Sequence, residues 1–191
     1  ILARSDNVGT ISWAEQLGEE RLDHYLRSFG LGTLAAVDWD YQSKGILPPL
    51  DEWSGTSLPT FAIGQGLAVT PMQMLEVYNA IANDGVLMPS RLVLGTEAPG
   101  GEFTATSVPE PRRVVSEATS AALRDMLTSV VNDGTASRAK VEGYTVAGKT
   151  GTAWEPVEGG GYGSPGNRHL VTSFVGFLPA SDPKLSIFVV I

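Results

Sequence analysis

Lys149 is followed by two hydroxyls at alternate positions, Thr150 and Thr152, inside Ala147-Gly148-Lys149-Thr150-Gly151-Thr152-Ala153. Tyr144, Thr145 and Val146 ahead of it favour extended backbone, and no helical period appears, so the segment reads as a strand. Side chains alternate along a strand, which puts Thr150 and Thr152 on one face. Gly151 between them leaves the backbone uncovered, so a ligand can approach it closely. An anion would meet a lysine, two hydroxyls and bare N–H groups along one short edge. Simple alternation sends Lys149 to the other face, so its long stem or a local twist must bring it round.

Gly143 to Thr150 also matches G-x-x-x-x-G-K-[ST], the phosphate-binding loop pattern. That loop needs a helix to follow it and hold the phosphate at its N-terminus. Here the helix would begin near Gly151 and run into Pro156 and Gly159-Gly160-Gly161, which cannot propagate one. The pattern fits and its context does not.

Other reactive residues are sparse. Ser5-Asp6-Asn7 near the start is, by itself, a common turn or helix cap. Ser137-Arg138-Ala139-Lys140 has a serine and a lysine at helical spacing, but it follows the helix-stopping Asp133-Gly134 and reads as exposed polar chain. His24 and His169 are the only histidines, so neither a Ser-His-Asp arrangement nor a metal site is assigned. His24 is expected on the outer face of its helix, and His169 at the start of a strand near the lysine strand. The four tryptophans are too dispersed for a sugar platform; Trp154, just after the lysine strand, is placed to line a cleft or to pack.

These residues need elements to position them. Ile11 to Gly30 reads as helix with a break at Gly18; Leu22, Tyr25, Leu26 and Phe29 make one face. Residues 32–60 carry turn formers and little period, a long surface excursion. Ile63-Gly64-Gln65-Gly66 reads as a tight turn. The clearest helix runs from about Pro71 to Asp84, with Thr70 as N-cap, Pro71 in the first position and Gln73 completing a capping box. A third runs from about Glu117 to Asn132, capped by Ser116, with Leu123, Met126, Leu127, Val130 and Val131 toward a core. After the lysine strand come a loose loop over 154–167, a strand from His169 to Leu178, a turn over 179–183 and a last strand over 185–191. Both of these strands are apolar on both faces, which predicts helices on both sides of the sheet. The short turn between them predicts antiparallel pairing.

Composition excludes several classes. Hydrophobic residues make up 42% and charged residues 18% of 191 residues, ordinary for a globular domain. A net charge of −8 with scattered cations argues against nucleic acid, whose phosphates need a clustered basic surface. The chain has no cysteine, so neither a disulfide framework nor a thiolate nucleophile is available. No run approaches the roughly 20 apolar residues of a membrane helix. The absence of an initiating Met and the apolar last strand suggest a piece of a longer protein.

Ser-Asp-Asn followed later by Lys-Thr-Gly is a signature pair. With Ser-x-x-Lys it marks penicillin-binding proteins and class A β-lactamases. Ile63-Gly64-Gln65-Gly66-Leu67, Thr70-Pro71-Met72-Gln73-Met74, Ile81-Ala82-Asn83-Asp84-Gly85, Val146 to Ala153 and Ser173 to Pro179 resemble class B penicillin-binding proteins, with a lean toward the division-specific transpeptidases. Class A β-lactamases keep the two motifs closer together and fit worse.

The resemblance implies the penicillin-recognising, β-lactamase-like α/β fold: an α+β sandwich with an antiparallel sheet flanked by helices, here incomplete. It implies a peptidoglycan D,D-transpeptidase domain over residues 1–191, with the nucleophile of Ser-x-x-Lys upstream of residue 1 and the C-terminal end missing. Ser5 would pass a proton, Lys149 would supply positive charge, and Asn7 would bond the acyl side-chain amide. Thr150 and Thr152, around Gly151, would bind a carboxylate, and the Thr152 N–H would be an oxyanion donor. Its implied partners are a stem peptide ending in D-Ala-D-Ala, β-lactams, a membrane glycosyltransferase and division proteins, with the domain extracytoplasmic on the cell membrane and no cofactor. A non-catalytic β-lactam sensor or a degenerate binding module on the same fold is the alternative.

Overall fold

The computed structural model describes residues 1–37, 39–164 and 168–191. A 3-10 turn, Leu2–Arg4, leads into helix α1, Asn7–Leu17. Asp6 caps α1 by accepting from the Val8 N–H at 3.1 Å. Gly18, at φ 84°, separates α1 from α2, Glu19–Ser28. The broken helix expected over Ile11–Gly30 is therefore present. It begins earlier, because the Asp6 cap precedes the point where an apolar period becomes visible.

The excursion over 32–60 is less free than its composition suggests. It contains a 3-10 turn, Leu50–Glu52, and leads into a short helix, α3, Ser57–Ala62. Ala35 and Val37 are buried. Gln73 Nε2 donates to the carbonyls of Thr33 at 2.7 Å and Lys44 at 2.9 Å, which anchors the excursion to the next helix. That helix, α4, Pro71–Ala82, carries both arms of the expected capping box: Gln73 N–H donates to Thr70 Oγ1, and Thr70 N–H donates to Gln73 Oε1.

Four short strands follow that the sequence pattern does not announce. β1, Val86–Leu87, pairs antiparallel with β4, Arg112–Arg113; between them β2, Gly95–Glu97, pairs with β3, Phe103–Ala105. Helix α5, Glu117–Asp133, starts at a Ser116 cap and stops at Gly134. Leu127, Val130 and Val131 are buried, as expected. Met126, expected in the core, is 40% exposed, because it falls outside the stripe that these three define.

The main sheet is antiparallel, in the order β5-β6-β7: Ala147–Trp154, Leu170–Leu178 and Leu185–Val190. The lysine strand starts at Ala147 rather than Tyr144. Tyr144 instead makes an isolated bridge with Val141 across Gly143, at φ 79°, and local turn geometry overrides β-propensity there. Ala147, Val175 and Phe177 pack with Tyr78, Ile81 and Leu127, so the main core lies between the sheet and α4 and α5. On the other face Leu185, Ile187 and Val189 are exposed. Helices were expected on both faces; among the described residues the second face is covered only in part, where Phe174 and Leu178 pack against the cluster of Val130, Val131, Ala136 and Val146. The apolar pattern reports that a face wants cover, not which segment covers it. The architecture is the expected α/β one, an antiparallel sheet with helices packed against it.

Candidate active site

Ser5 ends the 3-10 turn in the left-handed region, at φ 54° and ψ 44°. That conformation costs a non-glycine residue roughly 1–2 kcal/mol. It is held because Ser5 N–H donates to Leu2 O, Asp6 N–H donates to Ile1 O, and Asp6 must begin α1. The Ser-Asp-Asn triplet is thus a turn and a helix cap, as its composition suggested, and it also contributes to a site. Asn7 is the first residue of α1 and lines the same cleft as Ser5.

Lys149 sits opposite Val175 in the sheet register, on the face away from Thr150. That face packs against α4, α5 and Leu2 of the Ser5 turn, and Lys149 Nζ donates to Ser5 Oγ at 2.9 Å and to the Thr150 carbonyl at 2.9 Å. Two triplets 144 positions apart therefore meet through one hydrogen bond. Burial lowers the Lys149 pKa from the usual lysine value, since a part-buried ammonium is poorly solvated. Among the described residues no carboxylate forms an ion pair with it. A lysine in this setting releases a proton more readily than a free one and is hydrogen-bonded to a hydroxyl able to carry it.

Thr150 and Thr152 share a strand face, opposite Phe174 and Thr172, and both line the cleft. Gly151 lies between them; a Cβ there would stand 2.6 Å from Ser173 Oγ, so the glycine also lets β5 and β6 pack closely. The cleft has a volume of about 1020 Å³ and takes in Ser5, Asn7, Lys149, Thr150, Gly151 and Thr152 together. A smaller hollow of about 350 Å³, near Val37, Trp39, Met72 and Leu92, has no charged group among its described lining residues. The larger cleft is the one that brings a cation and several hydroxyls together.

Several wall residues escaped the sequence reading. The Ile63–Gln65 turn, expected as a simple tight turn, forms part of the wall. Thr135 also lines the cleft, and its hydroxyl lies 3.0 Å from that of Thr150. The only advance signal for Thr135 was its place just after the glycine that stops α5. Trp154 does reach the cleft.

His24 is exposed beside Ser28, and His169 lies just before β6 outside the lining. In the 3-10 turn Ser137–Ala139, Ser137 and Arg138 are exposed, as is Lys140 after it, in agreement with its rejection as a catalytic pair. No helix follows the Gly143–Thr150 pattern, because β5 runs on to Trp154; the phosphate-loop reading fails. Among the described residues no group of three or more His, Cys, Asp or Glu could hold a metal ion.

Comparison with known proteins shows the family and the fold. Residues 1–191 match the family described as the penicillin binding protein transpeptidase domain. The chain is 43% identical to the penicillin-binding protein PbpB of Mycolicibacterium smegmatis, over 96% of its own length and 29% of the relative's. It is 38% identical to the stage V sporulation protein D of Bacillus subtilis, over 100% of the chain and 29% of that protein. Its fold matches the crystal structure of penicillin binding protein 3 from Mycobacterium tuberculosis in complex with ampicillin, with a TM-score of 0.92 at 38% identity, covering 100% of the chain and 43% of the solved one. The chain thus spans 29% of the length of each of these two curated relatives.

Proposed function

Because the chain belongs to the family of penicillin-binding protein transpeptidase domains, of the class B type, we propose that it serves a peptidoglycan D,D-transpeptidase that is also a covalent target of β-lactams. One observation carries this reading: Lys149 Nζ donates to Ser5 Oγ at 2.9 Å in a cleft that also holds Asn7, Thr150 and Thr152. A cation, a proton-carrying hydroxyl, an amide and two further hydroxyls are what acyl transfer to a serine needs around it.

The reaction runs in two halves. A serine oxygen attacks the carbonyl carbon of the penultimate D-alanine in a stem peptide ending in D-Ala-D-Ala. The C–N bond breaks, and the proton lost by the attacking serine is relayed through Ser5 to the departing D-alanine amine. Lys149 stabilises the negative charge that develops and shares in that proton's movement. The amine of a neighbouring stem then attacks the serine ester, the ester C–O bond breaks, and the proton lost by the amine returns through Ser5 to the released serine oxygen. Thr150 and Thr152 hold the terminal carboxylate, Asn7 bonds the acyl-chain amide, and the Thr152 N–H is one oxyanion donor beside Gly151. A β-lactam enters by the same route, because its ring amide takes the place of the D-Ala-D-Ala bond.

The nucleophile in this proposal lies in a Ser-x-x-Lys segment outside these 191 residues. The motif within the chain, Ser137 to Lys140, is not among the cleft-lining residues. The whole protein would act on the outer side of the cell membrane, with a membrane glycosyltransferase and division proteins. No described helix is long and apolar enough to cross a membrane. No cofactor enters any step.

The test uses the full-length protein. Fluorescent penicillin should label one serine, found by peptide mapping within Ser-x-x-Lys, and the protein should crosslink stem peptides. Labelling without crosslinking would point to a sensor, and neither outcome to a degenerate module. Rapid release of hydrolysed penicillin would point to a β-lactamase.

A further inference from the structure

We infer that Thr135 is a positioning residue that aims the Thr150 hydroxyl at the substrate carboxylate; this rests on the transpeptidase reading of the cleft. Its hydroxyl lies 3.0 Å from Thr150 Oγ1. A threonine hydroxyl has one proton to donate and two lone pairs to accept with. When Thr135 donates to Thr150, the Thr150 proton is left to point into the cleft. Thr150 then donates to the carboxylate with its own oxygen already polarised, the arrangement in which linked hydrogen bonds strengthen one another.

Thr135 is held for this task by its backbone. Its N–H donates to the carbonyl of Ala3 at 3.1 Å, in the turn that presents Ser5. The preceding Gly134 closes α5, and a Cβ there would stand 2.2 Å from Ala3 O and 2.7 Å from Val130 O. Only glycine lets the chain pass so close to that turn. Thr135 therefore joins the two motifs from a third segment, through its main chain to the Ser5 turn and through its side chain to the lysine strand. β-Branching limits its χ1 choices, so the hydroxyl loses little freedom in keeping this geometry.

The experiment compares Thr135→Val and Thr135→Ser in the full-length protein, using penicillin and its methyl ester, which lacks the anionic carboxylate. Acylation rate constants come from competition with fluorescent penicillin. Thr135→Val should slow acylation by the acid about tenfold and by the ester less than about twofold, the loss expected for one oriented hydrogen bond to a charged group. Thr135→Ser should stay close to wild type on both. In a Thr150→Val background, Thr135→Val should leave the acid-to-ester ratio unchanged, since its effect runs through Thr150. Equal loss on acid and ester, or no loss on either, overturns the inference. Thermal melting identifies a misfolded valine variant, and Thr135→Ala then takes its place against Thr135→Ser, with the same ratio as readout. A wild-type protein that no penicillin labels removes the transpeptidase reading and this inference together; a labelled wild type with an unchanged ratio in the variants removes this inference alone.

Discussion

Phe174 fills the space beside Gly148, where a Cβ would stand 2.5 Å from the ring Cζ and 2.7 Å from the Val175 carbonyl. The ring also lies 3.0 Å from the corresponding position at Gly176, so one aromatic side chain occupies the room of two absent ones. Gly148→Ala should therefore destabilise the protein by about 1–3 kcal/mol, because backbone as well as ring must shift. Gly151→Ala should cost less than about 1 kcal/mol, since the nearest atom is the Ser173 hydroxyl, at 2.6 Å, which can rotate away. Denaturant unfolding of the two variants checks the order; a larger loss at Gly151 would refute the packing argument.

Lys149→Ala should lower the rate of penicillin acylation by about 10²–10⁴-fold, the range for loss of a positioned acid–base or electrostatic group. Stopped-flow or gel-based labelling measures it. Near-normal labelling would remove Lys149 from the mechanism.

Ser5→Gly separates stability from activity. Glycine accepts the φ of 54° without the left-handed penalty, at the cost of a more flexible unfolded chain. Folding stability should stay within about 1 kcal/mol of wild type. Acylation should fall about 10²-fold or more as the hydroxyl bonded to Lys149 disappears. A fully active glycine variant would show that no proton passes through Ser5.

The pH profile follows from burial at Lys149. Its pKa is lowered from 10.5. If its positive charge assists acylation, the rate should fall as pH rises, with a midpoint below 10.5. The sign for stability is the reverse. Between the folded and unfolded values the unfolded chain binds more protons, so this group's contribution to stability increases with pH across that window. Lys149→Arg, which keeps its charge throughout, should remove the descending limb of the rate profile. A rate that climbs through the same window would make Lys149 a base rather than a cation.

Local rules were legible from the chain. The Thr70–Gln73 capping box, the Gly18 break, the Ser116 cap and the Gly134 stop each depend on a few neighbouring residues, and each is present. The shared face of Thr150 and Thr152 follows from strand alternation alone. The Ser-Asp-Asn and Lys-Thr-Gly motifs pointed to the family that the whole-chain comparison supports. Other features had no local cause. Gln73 holds the carbonyls of Thr33 and Lys44 far away in sequence, so the 32–60 segment looked unanchored. Val141 and Tyr144 close a turn where propensity favoured a strand.

Residue types and spacing by themselves determined which groups could do chemistry and which short elements would carry them, because caps, breaks and strand faces are settled within a few residues. Tertiary structure alone decided that Lys149 Nζ meets Ser5 Oγ, and that Thr135 comes beside Thr150. Those meetings join segments that are distant in sequence, and the packing of α5 against the lysine strand and the Ser5 turn sets them. No local pattern encodes a contact whose geometry is fixed by a core assembled from the whole chain.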